Sequence, residues 1–149
     1  MNSKVRQGGF TLIELVVVIT ILGILAAFAV PRFASLEGQA REAATQALAG
    51  SVRSGASLAH ALWLAEGDPG SVLVTMEGAP ITIAFGYPDA ATIQDTLVEI
   101  TGFIPTIGAT AVFTKATPSN TPIANCFVTY TPPAAANQAP QVVATVNGC

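Results

Sequence analysis

One uninterrupted apolar run dominates the N-terminal part of the chain. Leu12 to Val30 reads LIELVVVITILGILAAFAV, nineteen residues in which Glu14 is the one charged side chain. As an α-helix this run would rise about 28 Å, close to the roughly 30 Å hydrocarbon core of a bilayer. Lys4 and Arg6 precede the run, and no acidic residue accompanies them. Basic residues at this end favour a cytoplasmic N-terminus, so the pattern predicts a single membrane-spanning helix that exports the rest of the chain.

The helical pattern continues beyond the apolar run. From Ser35 to Ala65, small and apolar residues recur at three- and four-residue steps, and the charged residues lie mostly off that stripe. Pro31 lacks an amide hydrogen, which predicts a kink or a local opening of the helix. Gly67 and the DPG sequence after it indicate that the helix ends there in a turn. We therefore expect one continuous or gently broken helix from Phe10 to Glu66, about 85 Å long. A rod of that length suits a filament.

Residues 71 to 149 show short runs rich in β-branched and aromatic residues, separated by Gly, Pro, Ser and Asn. Such runs are typical of antiparallel strands. The predicted strands are Ser71–Met76, Ile81–Tyr87, Thr110–Lys115, Cys126–Thr131 and Gln141–Asn147. Asp89 to Ile100 is expected to form a short helix, with Asp89 as its N-cap and Gly102 near its end. Loops are expected at Thr117–Ala124 and Pro132–Pro140. The prediction is an α+β fold, with a small sheet of four or five strands packed on the second half of the long helix.

Composition and charge exclude two classes of protein. The 149 residues are 51% hydrophobic and 10% charged, whereas a disordered chain needs low hydrophobicity and high charge. The formal net charge is −3. A protein that binds nucleic acid electrostatically needs a dense basic face, so we expect no nucleic-acid partner.

Glu14 is the unusual residue of the apolar run. A carboxylate in lipid is costly and marks a functional site by default. The run contains no Lys, Arg or His that would neutralise it. Cleavage after Gly9 would create a cation, because Phe10 would then carry a free α-amino group four residues from Glu14. That amine could pair with Glu14 within the chain or on a neighbouring chain. In the second case, the carboxylate would fix the axial position at which an incoming subunit stops.

An ordinary secretory signal is the alternative reading of the same segment. Ala27-Phe28-Ala29 matches a signal-peptidase site, and cleavage there would release a conventionally secreted binding domain. The apolar run is longer than the usual core of about 7–15 residues, and a signal peptide gains nothing from Glu14.

The segment GGFTLIELVVVITILGILAAFAVPRF resembles the processing site and N-terminal helix of type IV pilins and of type II secretion pseudopilins. The resemblance implies that a membrane-embedded peptidase cuts after Gly9 and N-methylates Phe10, and that Glu14 is the assembly carboxylate. The nine-residue leader resembles those of type IVa prepilins. The implied organisation is a cleaved leader at residues 1–9, a transmembrane and assembly helix at residues 10–33, and an exported α+β head with the pilin fold at residues 34–149.

The same resemblance implies partners and a location. The precursor would span the inner membrane once, with its N-terminus in the cytoplasm, and would then form a homo-oligomeric helical filament outside the cell. An inner-membrane platform protein and assembly ATPases would drive this step. The filament would serve attachment and adhesion, and the resemblance also allows a role in motility. A major pseudopilin of a type II secretion system is the alternative.

Cys126 and Cys149 are the two cysteines of the chain. Export implies a compartment in which disulfides form, so one intramolecular bridge is expected, with two free thiols as the alternative. A C-terminal cysteine tied back to a strand resembles the disulfide-closed region of type IV pilins, which major pseudopilins generally lack. The stretches AFGYP and CFVTYT further resemble mannose-sensitive haemagglutinin (MSHA) pilins.

The sequence offers little chemistry. His60 is the single histidine and would have to serve a catalytic site alone, so we expect a packed or half-exposed helix position. The acidic residues are scattered along the chain, and none follows Glu99. Some pseudopilins bind calcium near the C-terminus, and the C-terminal segment of this chain lacks the carboxylates for such a site. We predict no catalytic residues, no cofactor and no metal, and therefore no enzyme. The residues expected to be core aromatics are Trp63, Phe85, Tyr87, Phe103, Phe113, Phe127 and Tyr130.

Overall fold

A computed structural model describes residues 9–67 and 72–149 of the chain, with the exception of the side chain of residue 34. The first element is the helix α1, Leu12–Glu66, which continues through Pro31. It starts two residues later than predicted and ends at the predicted residue, and Gly67 follows it with a φ of 69°. The helix also continues through Gly50 and Ser51.

The residues after α1 form antiparallel strands in the described part of the chain. The first sheet has the order β1-β2-β3, with β1 at Leu73–Met76, β2 at Ala79–Ala84 and β3 at Tyr87–Pro88. The second has the order β4-β5-β6-β7, with β4 at Phe103–Ile107, β5 at Ala111–Ala116, β6 at Pro122–Thr131 and β7 at Gln141–Thr145. The α+β class is confirmed. The prediction of four or five strands in one small sheet is wrong, because the described residues form seven strands in two sheets.

The predicted strand Ile81–Tyr87 is wrong in its second half. The chain turns at Phe85 and Gly86, whose φ values are 54° and 86°, and so splits the segment into β2 and β3. Positive φ at both central residues is the geometry of a tight hairpin turn. The turn was not predicted because Asn, Asp or Gly usually stands at the first of these positions, and here it is Phe85.

The predicted helix Asp89–Ile100 is also wrong. The structure has a single 3-10 turn at Ile93–Thr96, after which Leu97 is extended with a ψ of 133°. Asp89 acts as predicted to the extent that its Oδ1 accepts hydrogen bonds from the backbone N and the Oγ1 of Thr92 at 2.8 Å. The hydroxyl of Thr92 also bonds the backbone of Thr82 in β2. These tertiary bonds, with β-branched residues of low helix propensity, outweigh the local helical pattern.

β4 lies in a segment for which no strand was predicted. Pro105 occupies its middle, and proline is tolerated in an edge strand because the missing amide can face away from the neighbour. β4 pairs only with β5 among the described strands, so it is an edge. The predicted loop Thr117–Ala124 is shorter than expected, since β6 begins at Pro122.

Two apolar clusters join the second half of α1 to the sheets. The larger contains Val52 and Ala56 from the helix with Phe113, Val128 and Tyr130 from the four-stranded sheet. The smaller places Ala59 of the helix against β1 and β2. The hydroxyl of Tyr130 is buried and donates a hydrogen bond to the carbonyl oxygen of Pro88 at 2.6 Å, which connects the two sheets. The packing of strands on the second half of the helix is therefore as predicted.

Most of the expected core aromatics contribute to this packing. Phe113 and Tyr130 are buried, while Trp63, Tyr87, Phe103 and Phe127 are half-buried. Phe85 is not a core residue, because 54% of its side chain is exposed at the tip of the β2–β3 turn.

Cys126 and Cys149 form the expected disulfide, with Cα atoms 4.9 Å apart. The buried Thr45 of α1 lies beside it, with its Oγ1 3.5 Å from the Sγ of Cys126. The Nε of Arg41 donates a hydrogen bond to the carbonyl oxygen of Cys149 at 2.7 Å. The C-terminal segment is thus tied to β6 covalently and to α1 by hydrogen bonds.

The contacts divide the chain into a unit up to Glu37 and a unit from Gly38 to Cys149. In the first unit, the apolar run is exposed throughout. Among the described residues, α1 is the one helix whose length and apolar composition would allow it to cross a membrane, and its most apolar window has a mean hydropathy of 2.8.

Candidate processing and assembly site

The peptide bond between Gly9 and Phe10 lies just ahead of α1. Both residues are exposed, and 84% of the Phe10 side chain is accessible. A Cβ added at Gly9 would meet no atom within 4 Å, so there is open space on that side of the backbone. The predicted leader, apart from Gly9, lies outside the described residues. An exposed backbone next to a helix start is accessible to a peptidase.

The first turn of α1 is closed by Thr11 and Glu14. The backbone N of Thr11 donates to Glu14 Oε2 at 2.9 Å, and the hydroxyl of Thr11 donates to the same oxygen at 2.6 Å. In return, the backbone N of Glu14 donates a hydrogen bond to the hydroxyl oxygen of Thr11 at 3.3 Å. This reciprocal pattern is a capping box, in which two amides left unpaired at a helix start are satisfied by side chains.

The cap fixes where the carboxylate of Glu14 points. It is folded back towards the start of the helix, where the helix dipole favours a negative charge. Within the described residues, Glu14 contacts Thr11 and no cation, and its Oε1 has no hydrogen-bond partner. One oxygen is therefore engaged by the cap while the other can accept a bond from a further donor.

Cleavage after Gly9 would change the charges at this site. In the uncut chain, the nitrogen of Phe10 is a neutral amide, whereas a new terminus would be an ammonium group. That ammonium would lie one residue before Thr11, close to the end of the helix towards which the carboxylate points. Cleavage would thus place an anion and a cation at one helix end, where either can pair within the chain or with another copy.

Apolar side chains surround the carboxylate. Phe10, Ile13, Val17 and Val18 line a shallow groove of about 400 Å³ around Glu14. Phe10 and Ile13 are more than two-thirds exposed. Exposed apolar surfaces mark contacts with protein or membrane, and a partner that covered this groove would also take the carboxylate out of water.

The other predicted site residues do not meet this cluster. Pro31 lies inside α1, where its missing amide leaves the carbonyl of the residue four positions earlier without its usual partner. The kink at Pro31 stays a prediction. Cys126 and Cys149 belong to the unit from Gly38 onwards.

Sequence reasoning missed Thr11. The signal was present, because a Ser or Thr followed three residues later by Glu or Gln ahead of an apolar run is a helix-start signature, and Thr11-Leu12-Ile13-Glu14 fits it. Glu14 has two roles, as a charge within an apolar run and as the partner of Thr11 in the helix cap, and only the first was predicted.

The described residues contain no group of three or more His, Cys, Asp or Glu side chains placed to hold a metal ion. Together, the fold and the site define a class: an α+β protein whose exposed apolar N-terminal helix begins with an accessible Gly-Phe bond and a capped glutamate.

Comparison with known proteins finds one matching family model and relatives among pilus and fimbrial proteins. The model of the prokaryotic N-terminal methylation motif matches residues 4–30. The chain is 56% identical over 54 residues to the type IV narrow pilus major component PilA5 of Thermus thermophilus, a match that covers 36% of this chain and 47% of that protein. It is 38% identical over 90 residues to the type IV major fimbrial protein FimA of Dichelobacter nodosus, covering 52% of this chain and 56% of that protein.

The motif match covers residues 4–30, and the two relatives match 36% and 52% of the chain. The chain spans about half the length of the curated relatives it matches. No solved structure matches it. The chain carries the methylation motif and is similar to type IV pilins, and neither match resolves the MSHA-like subtype.

Proposed function

We propose that this chain is a structural subunit of a type IV pilus. It is cut after Gly9, N-methylated at Phe10 and polymerised through its N-terminal helix into a surface filament for attachment. The observation that carries this proposal is the junction itself, in which an exposed Gly9–Phe10 bond is followed by a capped Glu14 in an exposed apolar helix. The named relatives are components of pili and fimbriae, which supports the same function.

The assembly mechanism follows from the charges at the helix start. Before cleavage, Glu14 is an uncompensated anion in an apolar segment. After cleavage, the ammonium group of Phe10 supplies the counter-ion. The Oε1 of Glu14, which the cap leaves available, accepts a hydrogen bond from the Phe10 ammonium group of a neighbouring copy. Since the pair forms only when two helices stand at one axial offset, apolar packing supplies the attraction and the ion pair sets the register.

The location and partners follow from this mechanism. The precursor waits in the inner membrane as a single-pass protein with its N-terminus in the cytoplasm, and a prepilin peptidase that also methylates acts on it there. A platform protein and assembly ATPases then extract it into the filament. The disulfide Cys126–Cys149 and the AFGYP hairpin support the MSHA-like subtype within this proposal. The matched relatives are pilus and fimbrial proteins, so nothing favours the pseudopilin alternative.

Mass spectrometry of the mature N-terminus tests the processing step. The wild-type protein from the membrane should begin at Phe10 and carry one methyl group. Gly9→Leu should accumulate as uncut precursor, because a bulky side chain would occupy the position that the peptidase must approach. Gly23→Leu is the matched control, since Gly23 also has open space around it but lies inside the helix.

Two results would contradict the proposal. A mature N-terminus near Val30 would indicate a conventionally secreted domain, and cleavage of Gly9→Leu at the wild-type rate would remove the role of Gly9. Electron microscopy of material sheared from the cell surface, with peptide identification, then tests whether the processed protein forms filaments.

A further inference from the structure

The unit from Gly38 onwards contains an open cavity of about 800 Å³ between the end of α1 and the β2–β3 turn. We call it the aromatic cavity and define it by His60, Trp63, Phe85 and Tyr87. Leu64, Val72 and Ile83 add apolar surface, and none of the described residues that line the cavity is Lys, Arg, Asp or Glu. The aromatic part of the cavity therefore suits an apolar side chain.

The wall of this cavity is a fixed stack of rings. His60 lies parallel to Tyr87, with ring centroids 4.2 Å apart, and it also stacks on Trp63 at 5.7 Å. The Nδ1 of His60 is 2.6 Å from the carbonyl oxygen of Gly86, which can only accept, so Nδ1 donates. Gly86 itself packs so closely that an added Cβ would lie 2.9 Å from the Trp63 ring. The cavity is thus preformed in the subunit.

Phe85 at the rim is placed at a conformational cost. It adopts a φ of 54°, which is rare for a bulky residue, yet 54% of its side chain is exposed, so it does not fill the core. Strained residues that packing does not require are concentrated at functional sites. An aromatic ring held at the mouth of an aromatic cavity indicates that something binds there.

A candidate occupant lies on the same subunit. Val98 is 95% exposed, the highest value among the exposed large hydrophobic side chains of the described residues. It follows Leu97, which has an extended backbone. Glu99 follows it, with a carboxylate bonded to the backbone N of Thr101 at 2.8 Å. We call this exposed residue the Val98 tip.

The Val98 tip and the aromatic cavity lie on opposite faces of α1. The surface beside Val98 includes Leu58 and Leu62 of the helix, whereas the cavity includes His60 and Trp63. At about 100° per residue, these two sets point about half a turn apart. Val98 therefore cannot reach the cavity of its own subunit.

Opposite faces decide the kind of contact that a second copy can make. If Val98 docked beside Leu58 of another copy, the same patch would be used twice, which gives a closed two-fold dimer. A tip that docks into a different face instead gives a head-to-tail contact, which can repeat without closing and generate a helical filament. A subunit that polymerises needs the second kind of contact.

We propose that the Val98 tip of one subunit inserts into the aromatic cavity of the next subunit in the filament. This inference rests on the proposed function and names a contact made by the exported unit. The cavity has room for the Val98 side chain and the backbone on either side of it. Asn137 and Gln138 also line the cavity, and their side-chain amides are donors that suit the carboxylate of Glu99 beside the tip.

Site-specific photocrosslinking in filament-producing cells tests this contact directly. A benzoylphenylalanine at position 98 of the full chain should crosslink to a second copy, through peptides that contain residues 60–63, 85–87 or 137–138. Mixed isotopic labelling distinguishes a second copy from the same chain. A crosslink to helix residues 47–58 of another copy, to a different site or to a different molecule would overturn the proposal.

Substitutions give an independent readout. Val98→Asp should leave folding and processing intact, because the side chain is exposed, and should lower the yield of sheared filaments about tenfold. Phe85→Ala should have a similar effect. Val143→Asp is the matched control, since Val143 is an exposed valine on β7 outside the cavity, and it should assemble normally. Normal filaments from Val98→Asp would overturn this contact while leaving the proposed function intact. If the wild-type protein forms no filaments, the proposed function itself is wrong and this inference fails with it.

Discussion

Replacing Glu14 with glutamine separates the charge of this side chain from its role in the helix cap. Glutamine keeps an oxygen that can accept from the backbone N and the hydroxyl of Thr11, which now donate at 2.9 and 2.6 Å. Its volume is almost unchanged, so packing along the apolar groove is preserved. The substitution removes only the negative charge.

The expected effect on assembly is large. Two opposite unit charges 4 Å apart attract by about 4 kcal/mol at an effective dielectric constant of about 20. Loss of that attraction reduces an association constant roughly a thousandfold. Glutamine also lowers the cost of keeping the isolated subunit in lipid. Both effects favour the membrane-bound subunit over the filament.

Sheared filament yield, measured by immunoblot, compares Glu14→Gln with Thr11→Val and Thr11→Ser. Glu14→Gln should be processed and inserted normally and should yield at least a hundredfold less filament. Thr11→Val loses the hydroxyl of the cap, a change that usually costs about 0.5–2 kcal/mol, and should reduce the yield less. Thr11→Ser keeps the hydroxyl and should match the wild type. If Glu14→Gln assembles normally while Thr11→Val fails, the carboxylate acts as a cap and the charge argument is refuted.

Three further predictions concern the unit from Gly38 onwards, and each is measured by urea unfolding of the full chain in detergent, followed by tryptophan fluorescence. Replacing Cys126 and Cys149 together with Ser should lower the free energy of unfolding by about 3 kcal/mol, because the open loop gains entropy in the unfolded chain; an unchanged midpoint would contradict this. Tyr130→Phe should cost about 1–3 kcal/mol, since the buried carbonyl of Pro88 loses its donor. Burial raises the pKa of Tyr130 above its ordinary value of 10.0. Its contribution to the free energy of unfolding is therefore complete below pH 10 and is lost as the pH rises towards the folded-state pKa. This loss of stability at alkaline pH should be smaller in Tyr130→Phe, and an identical pH profile in the two proteins would contradict the assignment. Phe85→Asn should raise stability by up to about 1 kcal/mol, because asparagine tolerates a positive φ, and a clear loss would show that the exposed ring supports the fold.

The long helix and the disulfide were predictable because their signals are local or compositional. Three- and four-residue periodicity, ending at Gly67, predicted α1 almost to the residue. Cys126 and Cys149 offered one intramolecular pairing in a chain that we expect to be exported, and the structure has that disulfide. Neither prediction needed any knowledge of how the strands are arranged.

The errors in the sheets arose where tertiary contacts override local preference. The segment from Asp89 looked helical, but the hydroxyl of Thr92 bonds the backbone of β2 and the chain leaves the helical conformation at Leu97. Phe85 looked like a core residue in a strand and instead occupies a strained turn. The edge strand β4 was not predicted because Pro105 lies in its middle, and proline argues against a strand.

The candidate site was predictable only in part. Glu14 stands out through the apolar pattern and the cost of a buried charge, whereas the roles expected of Gly9 and Phe10 rest on the resemblance to prepilin processing sites. Thr11 follows from the capping-box signature once the helix start is known. The Val98 tip could not be predicted from the sequence, because its exposure depends on the replacement of a helix by an extended segment. The local chemistry of a helix start can be inferred from sequence, whereas a protruding side chain depends on the whole fold.

A density map of the assembled fibre that resolves side chains tests the central claim most directly. We predict that the Glu14 carboxylate lies within about 4 Å of the Phe10 amine of an adjacent subunit, excluded from water by apolar helices. If the map places this carboxylate in solvent, or beyond the ion-pair distance of about 4 Å from every amine, the proposed basis of polymerisation is contradicted.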